Sequence, residues 1–156
     1  MAIKIGKPAP DFSLFSDEKK EVKLSDFKGK NVVLLFFPQA FTGVCTAELC
    51  EMRDNLKKYE SLNAEILAIS VDSVFTLDKF KQLQGYNFPL LSDFNKKVSK
   101  AYGSLYADFA FGMKGVSKRS SFVIDKEGII QYAEVLEVAK NMPNFAALNQ
   151  ALTALN

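Results

Sequence analysis

Phe36-Phe-Pro-Gln-Ala-Phe-Thr-Gly-Val-Cys-Thr-Ala-Glu-Leu-Cys50 is the stretch on which the reading of this chain turns. Just before it, Asn31-Val-Val-Leu-Leu-Phe-Phe37 is an unbroken β-branched and aromatic run that stops at Pro38. A central strand buried on both faces has that composition. Beyond it, Leu49, Met52, Leu56 and Tyr59 recur at spacings of three and four, with Glu51, Arg53, Asp54, Lys57 and Lys58 around the remaining face. This predicts one helix that starts near Cys45. The quoted stretch is therefore a strand-to-helix loop at the carboxyl end of a strand, the edge where open α/β sheets bind ligands. Thr42 is placed to cap the helix and makes Cys45 its third residue. The positive helix end and its free N–H groups favour a thiolate there.

Working outward, Ala64 to Val71 reads as a second buried strand, and Leu90-Leu91 as a short one. Helices are predicted over Phe75 to Leu83, ended by Gly85, and over Lys96 to Tyr102, ended by Gly103. Ser121 to Asp125 and Ile129 to Ala133 flank Asp125-Lys-Glu-Gly128, a hairpin signal. Phe12-Ser13-Leu14 reads as an edge segment, and residues 143–155 as a closing helix carrying Phe145, Leu148, Leu152 and Leu155. With no repeat, linker or low-complexity tract, residues 1–156 form one α/β domain, a central mixed sheet with helices on both faces.

Composition removes whole classes of chemistry. The 156 residues are 48% apolar and 24% charged with a net charge of +2, an ordinary globular balance that argues against nucleic acid or an acidic membrane as partner. There is no histidine, so no imidazole can act as base, ligate a metal or complete a Cys-His pair. No phosphate loop, dinucleotide fingerprint or Cys/His cluster is present, and neither cofactor nor metal is expected. The first residues lack a signal-peptide core and no run approaches 18 apolar residues, so a soluble cytoplasmic protein is expected.

The two cysteines are spaced Cys45-x4-Cys50, not C-x-x-C. In an intact helix Cys45 shares the stripe of Leu49, Met52 and Leu56, while Cys50 lies about 140° around the axis. Their Cα atoms would be roughly 8–9 Å apart, beyond the roughly 7 Å limit for a disulfide, so bonding requires the first turns to unwind. Residue pattern alone leaves bland alternatives open: a cysteine on an apolar stripe as a small core residue, Thr42 as a cap, Pro38 as a strand terminator. Without histidine, a cation supporting a thiolate must be arginine or lysine, and periodicity does not choose it.

The segment Pro38-Gln-Ala-Phe-Thr42-Gly-Val-Cys45 resembles the P-x-x-x-T-x-x-C signature of the peroxiredoxins, of the alkyl hydroperoxide reductase/thiol-specific antioxidant type. The likeness spans nearly the whole chain, from Gly6-Lys-Pro-Ala-Pro-Asp-Phe12 through Val71-Asp72 to Arg119-Ser-Ser-Phe-Val-Ile-Asp125. It implies a thioredoxin-like fold and a thiol-dependent peroxidase of hydrogen peroxide and organic hydroperoxides, serving antioxidant defence. Carried over residue by residue, Cys45 is the nucleophile and Arg119 the cation beside its thiolate. The Thr42 hydroxyl bonds sulfur and peroxide, Pro38 shields the pocket, and Glu48 orients the arginine. The resulting sulfenic acid can be trapped by a second thiol.

The offset of Cys50 resembles the Q-type (bacterioferritin comigratory) subgroup, in which that cysteine resolves the sulfenic acid as an intramolecular disulfide. The wording around Cys45 is closer to the alkyl hydroperoxide reductase E type, in which one-cysteine members occur and an external thiol resolves. Thioredoxin or glutaredoxin is the implied reductant. The chain ends at Asn156 without the cysteine-bearing tail or the Gly-Gly-Leu-Gly and Tyr-Phe segments of typical two-cysteine members, so rings of dimers held by that tail are not expected. By the same resemblance Tyr102-Gly-Ser-Leu-Tyr106 and Phe109-Ala-Phe111 border a homodimer interface, with core packing as the alternative. Phe37, Phe41 and aromatics near Arg119 are candidates for an apolar peroxide pocket. A thiol–disulfide oxidoreductase and a sulfenic-acid redox sensor are the competing functional readings.

Overall fold

In a computed structural model describing residues 3–156, the chain runs through β1 (Ser13–Ser16), β2 (Glu21–Lys23), β3 (Asn31–Phe36), α1 (Gly43–Asp54), α2 (Leu56–Ser61) and β4 (Ala64–Ser70). It continues through α3 (Val74–Gln84), β5 (Leu90–Ser92), α4 (Lys97–Ala101), β6 (Ser120–Ile124), β7 (Ile130–Val135) and α5 (Phe145–Ala154). Seven strands form one mixed sheet in the order β2-β1-β5-β4-β3-β6-β7. β3, β4 and β5 are parallel neighbours, while β6 lies antiparallel to β3.

Alternation along β3 divides the interior in two. Val33, Leu35 and the following Phe37 face one cluster with Cys45, Leu49 and Met52 of α1, Leu77 and Phe80 of α3, and Leu148 and Leu152 of α5. Val32, Leu34 and Phe36 face the other, with Phe12, Tyr102, Phe122, Ile124 and Val98 of α4. All six residues of β3 are buried, as its unbroken apolar run required. The hairpin expected at Asp125–Gly128 is present, with Gly128 at φ 85° and the Asp125 Oδ1 accepting from the amides of Glu127 and Ile129.

Two expectations are corrected. The single helix from Cys45 to Tyr59 is interrupted at Asn55 (φ −112°, ψ 16°). The Asn55 Nδ2 donates to the Glu51 carbonyl at 2.8 Å, the acceptor its own amide would have used to continue the helix. The Phe12–Leu14 segment becomes β1 but is not the sheet edge, because Lys19 in a left-handed turn (φ 63°) folds the charged strand β2 over it. For Tyr102 the core-packing alternative holds: it is fully buried, and its hydroxyl donates to the Pro10 carbonyl at 2.6 Å.

Candidate active site

At Pro38 the β3 ladder ends, since proline offers no N–H, and the chain must turn out of the sheet. The Phe37 amide makes the last pairing, to the Ile69 carbonyl at 2.9 Å. Asp72, at the end of β4, then catches the loop: its Oδ2 accepts the Ala40 amide at 2.8 Å and the Ser70 hydroxyl at 2.6 Å. Phe41 adopts a left-handed conformation (φ 68°), which costs an aromatic residue roughly 1–2 kcal/mol. Its ring packs on Phe80 with centroids 4.9 Å apart, which helps hold it there.

Thr42 occupies the N-cap position of α1, as the sequence predicted, but does not cap through its side chain. Its hydroxyl donates backwards to the Gln39 carbonyl at 2.9 Å, tightening the loop instead. Pro38 is buried where the strand gives way to that loop. Cys45 is the third residue of α1 and is fully buried, on the stripe with Leu49 and Met52.

Arg119 directly precedes β6, the antiparallel neighbour of β3. The antiparallel register pairs Phe36 with Ser120, so the preceding arginine stands beside the end of β3 and above the helix. The residue is 1% exposed. Both Nη1 and Nη2 donate to the Cys45 Sγ at 3.4 Å. Nη1 also donates to the Glu48 Oε1 at 2.7 Å, and Nε and Nη2 donate to the Ala139 carbonyl at 3.2 and 2.8 Å. The guanidinium is thus fixed by groups on two other segments. Burial opposes its charge, but Glu48 and Cys45 more than offset that and hold it more firmly protonated than usual.

Glu48 lies one turn beyond Cys45 and is completely buried. Its Oε2 has no hydrogen-bond partner, and burial pushes its carboxyl up to about 7 against the attraction of Arg119, with Glu134 adding to the rise. Cys50 is half-buried on a different face of the same helix. Its Sγ lies 3.7 Å from the Tyr86 hydroxyl and 3.9 Å from the Gln84 Oε1. Both cysteines are free thiols on one unbroken helix.

Cys45, Arg119 and Glu48 are thereby brought together, Thr42 and Pro38 shape the loop beside them, and Cys50 stands apart. Sequence reasoning missed Ala139, which acts through a carbonyl any residue could supply, and the anchoring role of Asp72. Phe37 is core rather than pocket lining, whereas Phe41 is half exposed. A cavity of about 200 Å³ lies at the opposite end of the sheet, among Leu24, Phe27, Val32, Ile124 and Gly128, away from both cysteines. Among the described residues no group of three or more acidic or cysteine side chains is placed to hold a metal ion, and no helix is long and apolar enough to cross a membrane.

The profile of the AhpC/TSA family matches residues 5–133. The chain belongs to that family of peroxiredoxins. Within the AhpC/TSA family it is 42% identical over 136 residues to alkyl hydroperoxide reductase E of Mycobacterium tuberculosis, covering 85% of this chain and 86% of the relative. It is equally similar, over 142 residues, to the chloroplastic 2-Cys peroxiredoxin BAS1 of Spinacia oleracea, covering 84% of this chain but 52% of that protein. The chain thus spans about half the length of that relative. Among solved structures, peroxidoxin BcpB from Mycobacterium tuberculosis superposes with a TM-score of 0.83 at 30% identity, covering 98% of this chain and 96% of the other. A PrxQ variant from Xylella fastidiosa gives 0.86 at 28% identity, covering 97% and 96%. The fold is therefore the thioredoxin-like fold of the peroxiredoxins.

Proposed function

We propose that the chain is a thiol-dependent peroxidase reducing hydrogen peroxide and organic hydroperoxides. The observation that carries this reading is the pair of Arg119 nitrogens at 3.4 Å from the Cys45 sulfur in a chain without histidine. In the first step the Cys45 thiolate attacks the terminal peroxide oxygen. A sulfur–oxygen bond forms, the O–O bond breaks, and the electron pair leaves on the departing oxygen, which takes a proton to become water or an alcohol. Arg119 stabilises the anion before attack and the charge that develops on the leaving oxygen. Thr42 offers a hydroxyl oxygen to the peroxide O–H, Pro38 keeps water from the sulfur, and Glu48 holds Arg119 in place.

Sulfur has then lost two electrons and is a sulfenic acid. Cys50 resolves it: the sulfur–sulfur bond forms, the sulfur–oxygen bond breaks, and the hydroxyl leaves with the thiol proton as water. The disulfide returns to two thiols by exchange with thioredoxin or a similar dithiol. Because α1 is helical through both cysteines, this step requires its first turns to open. That requirement also supports a second reading, in which Cys50 stays in its helix and an external thiol resolves Cys45. A cytoplasmic location suits either reading, since free thiols persist there. A homodimer would cover exposed aromatics such as Phe41 and the almost fully exposed Phe111.

Stopped-flow mixing of the reduced protein with peroxide, followed by mass mapping of the thiols, tests the proposal. Cys45→Ser is expected to abolish rapid peroxide loss. Retention of that activity ends the peroxidase reading. A stable Cys45 sulfenic acid with free Cys50 selects the external-thiol alternative, and failure of thioredoxin to support repeated turnover points to a sensor.

A further inference from the structure

Thr46, Cys50 and Arg53 recur at spacings of four and three and form a second stripe on α1, apart from the one that buries Cys45. This polar stripe lies against the connector between α3 and β5. The Tyr86 hydroxyl donates to the Thr46 carbonyl at 3.2 Å, and the Arg53 Nη1 donates to the Gln84 carbonyl. Between these two fastenings sits the Cys50 thiol, within reach of the Tyr86 oxygen and the Gln84 amide oxygen. Gly85 makes the junction possible: in a left-handed conformation (φ 66°) it ends α3 and turns the chain so that Gln84 and Tyr86 both meet α1. The Tyr86 ring is itself seated, stacked on Phe88 and edge-on to Phe80.

The Thr46 carbonyl is the helical acceptor for the Cys50 amide, so Tyr86 grips a bond that must break for Cys50 to travel. Burial raises the Tyr86 phenol far above its ordinary value, so the O–H donor persists throughout the working pH range.

We propose that Gln84 and Tyr86 form a clasp that holds the Cys50 face of α1 in its helical form, with Tyr86 the positioning residue that sets how fast Cys50 reaches Cys45. The inference rests on the reading of Cys50 as resolving thiol. It places the control of disulfide formation in a contact that involves none of the groups bonded to Arg119. The chemistry is unchanged: the Cys45 S–O bond breaks, the Cys45–Cys50 bond forms, and water leaves.

Tyr86→Phe is the test, because it keeps the ring stacking and leaves no orphan, the Thr46 carbonyl retaining its helical partner. The first stopped-flow phase, oxidation of Cys45, is expected to stay within about twofold of the wild type. The second phase, disulfide formation, is expected to accelerate about fivefold, the factor that corresponds to one ordinary neutral hydrogen bond. At high peroxide the fraction of Cys45 trapped as sulfinic acid should fall in the same proportion. Hydrogen exchange at the amides of residues 46–50 should quicken to match. Arg53→Ala, which loosens the other fastening outside the aromatic cluster, should also accelerate the second phase. An unchanged or slower second phase in Tyr86→Phe, with the disulfide still forming, overturns the clasp and leaves the resolving role intact. Absence of any Cys45–Cys50 bond in the wild type overturns the resolving role and the clasp together.

Discussion

Two thiols on one helix, five residues apart, occupy contrasting surroundings. Cys45 is sealed from solvent and meets a guanidinium fixed by a carboxylate and a backbone carbonyl, whereas Cys50 is half-buried among a phenol, an amide oxygen and core side chains. The difference arises from neighbours rather than from the helix. Cys45 gains Arg119 through the β3–β6 register and Glu48 through one helical turn. Cys50 gains Tyr86 because α3 stops at Gly85. One sulfur is pressed against a buried cation; the other is held by weaker contacts to a phenol and an amide oxygen.

Removing the cation should break the contrast most severely. Arg119→Met is expected to slow single-turnover oxidation of Cys45 by about 10²–10³-fold, the range seen when a fixed donor to developing charge is deleted. The folded protein should survive, because Glu48, pushed up to about 7, can take a proton once its partner is gone. Stopped-flow kinetics and circular dichroism on the same sample check both points. A loss below tenfold would mean that the helix terminus alone sustains the thiolate.

Glu48→Gln gives a smaller effect with a defined sign. The folded-state value of Glu48 is raised from 4.5 to about 7, so the fold favours its protonated form. Its contribution to stability is therefore fully present below pH 4.5 and lost as pH climbs through 7. Relative to Glu48→Gln, the wild type should lose on the order of 1–3 kcal/mol between pH 4.5 and 8 in denaturant titrations. Parallel pH profiles for the two proteins would show that the buried carboxyl does not titrate in this window.

The smallest expected change sharpens the comparison from the other side. Cys50→Ser should leave the first oxidation phase within about twofold of the wild type, because no contact of Cys50 reaches Arg119. Alkylation by iodoacetamide gives an independent comparison of the two sulfurs. Arg119→Met should slow modification of Cys45 while leaving that of Cys50 unaltered. Equal effects at both positions would dissolve the distinction between the two sulfurs.

Much of this site was legible in residue order. An apolar run ending at Pro38, a helix starting near Cys45 and a two-strand signal after Arg119 are local patterns, and the structure has each of them. The pairing of Cys45 with Arg119 across 74 residues was available only through family resemblance, since periodicity carries no record of strand register. Ala139 acts on Arg119, and Gln84 on Arg53, through backbone carbonyl oxygens, which leave no side-chain signature. The backbone of Phe41 was hidden for another reason: an aromatic residue has no preference for positive φ, and its conformation follows from anchors at Asp72 and Phe80. Charged β2 escaped notice because three residues are too few to display a period.

The interruption at Asn55 has a bearing on how far a local melting event can travel. The six residues after it form a separate helix whose Tyr59 is seated in the same core cluster as Ala64 and Ile66 of β4. On the proposed resolution by Cys50, Asn55 would work as a firebreak: opening of α1 at its amino end would stop before the segment that leads into β4 and the centre of the sheet.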